Sequence, residues 1–171
     1  MKKSILLIEP NYKNKYPPIG LMKISTYHKQ LGYNVKYFKG DLKHLILSEI
    51  TTATIKKISK IDGSINWLQY NNLLYEYIKT GKVELLESIL NVKSQYKSIL
   101  ESWLIHFKDY YRKGTYISSP SWDRICITTL FTFYHKITIE TINTCKNLVK
   151  DTNQLYVGGV MASVMPEVVL K

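Results

Sequence analysis

The stretch KNKYPPIGLMKIS (residues 13–25) lies between an apolar run, Ile5-Leu6-Leu7-Ile8, and a segment with helical spacing. The run has the continuous hydrophobicity of a strand buried on both faces, as in the centre of a parallel sheet. After it the chain turns polar at Lys13, Asn14 and Lys15, stiffens at Pro17-Pro18, and places Gly20 at the mouth of a helix. Leu21, Ile24, Tyr27, His28 and Leu31 then share one helical face, and Gly32 follows as the C′ residue. Residues 34–38, NVKYF, alternate like a strand with one partly exposed face. The first forty residues therefore read as strand, loop, helix, strand: one βαβ unit.

The pattern resumes far downstream. Residues 124–130, RICITTL, are rich in β-branched side chains and predict a third strand. Ile139, Ile142, Cys145, Leu148 and Val149 give the next helix its apolar stripe, and Lys150 falls near its C-terminal end, where the helix dipole favours a cation. A fourth strand runs over 154–157 and ends in Gly158-Gly159. Between the halves lies a helical insert over 42–118. Trp67, Tyr70, Leu74 and Tyr77 recur every three or four residues. So do Tyr96, Leu100, Trp103, Phe107 and Tyr110, with Ile99 and Leu104 beside them. Aromatic residues at helical spacing are read as core rather than as a base-stacking platform. SSPSWD (118–123) is the turn-rich return to the sheet. The expected fold is α/β: a Rossmann-like or flavodoxin-like parallel sheet of four visible strands in the order 2-1-3-4, with the fifth missing. Residues 1–171 form one incomplete domain, and the insert lies between strands two and three.

The formal net charge is +11, yet only Arg112 and Arg124 are arginines. Arginine is the preferred residue for bidentate phosphate and guanine contacts. The lysines are spread along the chain, so a basic surface is the reading and a nucleic-acid partner is not favoured. Cys126 and Cys145 have no CxxC or metal-ligand spacing and read as small buried hydrophobes of a reducing compartment. The run after MKK is too short for a signal peptide or a membrane span. The expectation is a cytoplasmic protein without a membrane partner.

In a doubly wound sheet the loop after the first strand lies at the carboxyl edge, where ligands bind at the reversal of strand order. The loop over 10–20 is thus a wall or floor of a site. Its prolines lower the entropy cost of one shape, and Gly20 allows close approach at a helix N-terminus. No G-x-G-x-x-G and no Walker GK[ST] occurs, so the loop alone is equally a rigid connection with no ligand.

Three segments together carry a resemblance. Residues 5–38, ILLIEPNYKNKYPPIGLMKISTYHKQLGYNVKYF, resemble the N-terminal cobalamin-binding-type domain found ahead of many radical S-adenosylmethionine enzymes, with its PPxGL loop and GxxV turn. WDRICITTLFTFY (122–134) and LYVGGVMASVMPE (155–167) resemble that family's third and fourth strands. Such domains use S-x-L at one strand end and G-G at the next. Here Thr128-Thr129-Leu130 stands in the first place, threonine replacing serine, and residues 131–157 separate it from Gly158-Gly159, a spacing that fits the family. The resemblance implies a cobalamin site shaped by Pro18, Gly20, Thr128, Leu130, Gly158 and Gly159. The hydroxyl and leucine would line a slot, and the glycines would leave it unobstructed.

The chain departs from the family in two ways. The D-x-H-x-x-G motif that places a histidine on cobalt is missing after the first strand. In Asp41-Leu42-Lys43-His44 the histidine is three residues from the aspartate rather than two, so no protein ligand to the metal is expected; His135, after the third strand, reads as a loop histidine. The C-x-x-x-C-x-x-C triad that would bind three irons of a 4Fe–4S cluster is also absent. S-adenosylmethionine and the cluster are therefore implied only for a C-terminal radical S-adenosylmethionine domain in a longer parent protein. Glu9, Asp41, Asp123 and Glu140 form no catalytic pair by spacing. The expectation is a corrinoid-binding module that is not catalytic alone. The alternatives are a degenerate packing or interaction module without cofactor, and a basic nucleic-acid-binding domain.

Overall fold

The computed structural model describes residues 2–14, 16–130 and 132–169. The chain divides into two compact units, Met1–Leu42 with Ile117–Lys171, and Lys43–Tyr116. The first holds a four-stranded sheet of β1 (Ser4–Glu9), β2 (Asn34–Lys39), β3 (Arg124–Thr129) and β4 (Leu155–Gly159). Its order is β2-β1-β3-β4, and every pairing is parallel. The fold is α/β of the Rossmann-like or flavodoxin-like kind.

The buried runs explain the order. Residues 5–9 of β1 are all buried, as are Ile125, Cys126, Ile127 and Thr129 of β3. These two strands take the centre, and the half-exposed β2 and β4 take the edges. On one face Ile5, Leu7 and Cys126 pack with Leu21 of α1 (Ile19–Gln30), flanked by Tyr33 and Val35. α1 leads from β1 to β2, and α6 (His135–Lys146) leads from β3 to β4 in the opposite direction. Right-handed crossovers therefore place the two helices on opposite faces.

Three local expectations change. α1 buries only Leu21 and His28, two turns apart. Ile24, Tyr27 and Leu31 stay exposed, because a single helix on a sheet needs only its narrow line of contact covered. α6 ends at Lys146, so Leu148, Val149 and Lys150 lie beyond it. Lys150 answers no helix dipole; its ammonium lies 2.9 Å from Asp123 Oδ1, while Asp123 Oδ2 accepts from the Ser4 amide at 2.7 Å. Finally, β4 starts one residue later than expected, at Leu155, and its pairing runs on through the terminal Gly158 and Gly159.

The second unit is helical: α2 (Leu42–Ile61, whose first residue belongs to the sheet unit), α3 (Asn71–Thr80), α4 (Val83–Leu90) and α5 (Lys97–Arg112). Trp67, Leu74, Tyr77, Ile78, Ile89, Leu100 and Leu104 are buried. On α5, however, Trp103, Phe107 and Tyr110 are only half-buried, and Tyr96, just before the helix, is exposed. The aromatic row lies beside the buried Leu100–Leu104 line, and the Lys57 ammonium sits 3.9 Å above the Trp103 ring.

One carboxylate ties this unit's loops together. Asp62 accepts from the Ser64 hydroxyl and amide at 2.5 and 3.1 Å and from the Ser94 hydroxyl at 2.6 Å. Its main-chain carbonyl takes the Trp67 indole N–H at 2.9 Å. The Ser64 and Ser94 hydroxyls hold its pKa below the ordinary 3.8. A depressed folded-state pKa gives stability that is complete above the unfolded value and is lost as pH falls through the folded one. Asp62→Asn will therefore melt lower at neutral pH, and its melting point will fall less below pH 3.8 than that of the wild type. An identical acid slope in thermal denaturation would contradict this.

Candidate ligand site at the carboxyl edge of the sheet

Strand order reverses between β1 and β3, so the crevice expected of this fold opens at their carboxyl ends. Tyr12, from the loop after β1, packs against the β3–α6 side of this edge. The residue is 3 % exposed, its hydroxyl shares a 2.6 Å hydrogen bond with Thr138 Oγ1, and its ring centroid is 4.9 Å from that of Tyr134. Burial pushes its phenol above the ordinary pKa. The loop is thus pinned to the β3–α6 side by an aromatic clasp that the prolines alone did not signal.

Next to the crevice, β3 and β4 end in register, Thr128 opposite Gly158 and Thr129 opposite Gly159. The two pairs point to opposite faces and have different roles. Thr129 is buried. Its hydroxyl donates to the Gly158 carbonyl at 3.0 Å and accepts from the Ala162 amide at 3.1 Å. That amide belongs to α7 (Val160–Val164), and α7's Met161 amide donates to the Leu130 carbonyl at 2.9 Å. Gly159 has φ 110°, and a Cβ there would lie 2.9 Å from the Thr129 nitrogen and closer still to its carbonyl oxygen. Gly159 is therefore required by the backbone itself.

The other pair is open. A Cβ at Gly158 would meet nothing within 4 Å. Thr128 is half-buried, and its hydroxyl has no hydrogen-bond partner among the described residues. Leu130 is half-buried at the strand's end. A free hydroxyl, an open glycine and a leucine thus meet at one corner. By chemistry they suit the polar edge and apolar body of a bulky organic ligand.

The remaining expected residues are less engaged. Pro18 caps α1 without a side-chain bond. Gly20 lies inside the first turn of α1, one residue past its start, with open space where a Cβ would stand. His135 is the exposed first residue of α6. His44 belongs to the helical unit, where its Nδ1 is 2.7 Å from the Tyr75 hydroxyl.

Sequence reasoning considered Glu9 only as an unpaired acid and gave it no place at this edge. This carboxylate ends β1 at the same edge and is 1 % exposed. Oε2 accepts from the Tyr37 hydroxyl at 2.6 Å. Oε1 lies 2.9 Å from Lys39 Nζ, outside hydrogen-bonding alignment, while Lys39 donates to the Asn14 carbonyl at 3.0 Å. Burial, reinforced by the hydrogen bond to Glu9, holds the Tyr37 phenol far above its ordinary range. The signal was Glu9's position directly after four apolar residues of a central strand, where the next residue is also enclosed.

Among the described residues no group of His, Cys, Asp or Glu is placed to hold a metal ion. Cys126 and Cys145 are buried free thiols, and burial pushes Cys145 up to about 12. No helix of the described residues is long and apolar enough to cross a membrane. Compared with known proteins, the chain matches no family model, no curated protein and no solved structure.

Proposed function

We propose that the sheet unit is a cobalamin-binding-type module that receives a corrinoid at its carboxyl edge. The observation that carries this reading is the open pair: Thr128, whose hydroxyl has no partner among the described residues, in register with Gly158, which has empty space where a side chain would be. Leu130 supplies the apolar wall, and Pro18 and Gly20 lie on the loop side of the same edge. Gly159 contributes indirectly by letting β4 close against Thr129. Cobalt takes no protein histidine in this reading. The module is cytoplasmic, is not catalytic alone, and serves a radical S-adenosylmethionine domain that brings S-adenosylmethionine and the iron–sulfur cluster in a longer parent protein. The basic surface is not a nucleic-acid interface.

Titration of the folded chain with hydroxocobalamin, followed by visible absorbance, tests this. Saturable binding with a spectrum free of histidine ligation, unchanged in His135→Ala, is the expected result. Absence of binding would overturn it. One observation favours a second reading, a packing or interaction module without cofactor: Tyr12, from the loop at this edge, is buried and bonded to Thr138 of α6. That reading requires no corrinoid binding in wild type and none gained in Tyr12→Ala.

A further inference from the structure

The amino edge of the sheet carries a separate cluster. A cleft of about 410 Å³ is lined by Lys3, His28, Tyr33, Arg124, Lys150 and Gln154, among others. His28 is 3 % exposed, and its Nδ1 has no hydrogen-bond partner. Its Nε2 faces Arg124 Nη1 at 3.5 Å. A guanidinium only donates, so the ring's lone pair belongs on Nε2 and its hydrogen on Nδ1. His28, which lines the cleft, thus carries a buried N–H donor with no acceptor, an arrangement that native structures rarely leave unanswered.

Arg124 is the second part. Its Nε and Nη2 both donate to Gln154 Oε1, at 3.0 and 2.8 Å, and its guanidinium lies 5.0 Å from the Tyr156 ring. These partners fix the fork but leave its charge. No carboxylate pairs with it among the described residues. The acids lining the cleft are engaged elsewhere: Asp123 with the Ser4 amide and Lys150, and Asp151 with the Asn153 amide. Lys3, 5.9 Å above the Tyr33 ring, adds a cation at the rim.

We propose that this cleft binds a small oxyanion, a carboxylate or a phosphate, received by His28 Nδ1–H and the Arg124 guanidinium with Lys3 at the mouth. An oxyanion supplies the acceptor that the imidazole lacks and the charge that the guanidinium lacks, and its oxygens suit both donors at once. A water molecule satisfies only the first need. Burial and the neighbouring Arg124 charge hold the imidazole below its ordinary pKa, so at neutral pH it stays a neutral N–H donor. The site lies at the opposite edge from the corrinoid corner and stands or falls independently of it.

The test is nitrogen NMR of the His28 ring in the full chain, titrated separately with sodium phosphate and sodium acetate at constant ionic strength against a chloride control. A saturable shift of Nδ1 with either anion supports the site, and the anion that saturates first names the class. Arg124→Gln, its fold checked by circular dichroism, will weaken binding about tenfold or more. If that variant does not fold, Lys3→Gln on the exposed terminal arm will weaken it about threefold. No saturable shift with either anion, an equal shift with chloride, or unchanged affinity in the folded variant would overturn the proposal.

Discussion

Gly159→Ala will destabilise the protein by about 3 kcal/mol, whereas Gly158→Ala, one residue earlier in the same strand, will change stability by no more than about 0.5 kcal/mol. The contrast follows from what each position faces. At Gly159 the backbone sits at φ 110°, and a new Cβ would drive into the main chain of Thr129, which cannot rotate aside. Relief would require β4 to move away from β3. That would strain the Thr129 hydroxyl's bonds to the Gly158 carbonyl and the Ala162 amide. At Gly158 the same methyl enters open space, and alanine restricts the unfolded chain more than glycine does. In thermal melts, Gly159→Ala will fall by about 6–12 °C, with Gly158→Ala close to wild type. Equal losses in the two variants would mean that the glycines act as one flexible element, contrary to the geometry.

Glu9→Ala will cost about 2–3 kcal/mol, somewhat below the usual penalty for breaking a buried pair because Lys39 retains partial access to water. The loss has three sources. The Tyr37 hydroxyl loses its acceptor, the Lys39 ammonium loses its counter-charge, and a cavity opens under the end of β1. Glu9→Gln keeps the side-chain volume and an acceptor for Tyr37, so its cost falls to about 1 kcal/mol. Urea denaturation of the three proteins measures the series. If Glu9→Ala matched wild type, the carboxylate would have no structural role at this edge, and its burial beside the candidate site would call for a functional one.

Much of the sheet was legible because strand periodicity is a local signal. The apolar run over 5–8 belongs in the centre, the alternation over 34–38 belongs at an edge, and the two crossovers then place β3 beside β1. The sequence placed Thr128 and Gly158 at the ends of neighbouring strands, and the register sets the two residues side by side. The division of labour between the glycines was not legible, since a GG pair does not reveal which member meets a backbone and which meets space. The enclosure of Tyr12 and Glu9 was not legible for a related reason. A tyrosine in a polar loop and a glutamate after a strand look exposed until tertiary contacts with Thr138 and Tyr37 enclose them. The apolar face of α1 was over-read, because Ile24, Tyr27 and Leu31 share a side with Leu21 and His28 without sharing their burial.

The most direct measurement is a calorimetric titration of hydroxocobalamin into wild type and Gly158→Val. Valine suits a strand, so the fold persists while the open side of the corner is filled. The expected result is saturable binding in wild type, weakened about tenfold or more by the valine. A folded wild type that binds no corrinoid, or a valine variant that binds equally well, would contradict a corrinoid site at Thr128 and Gly158.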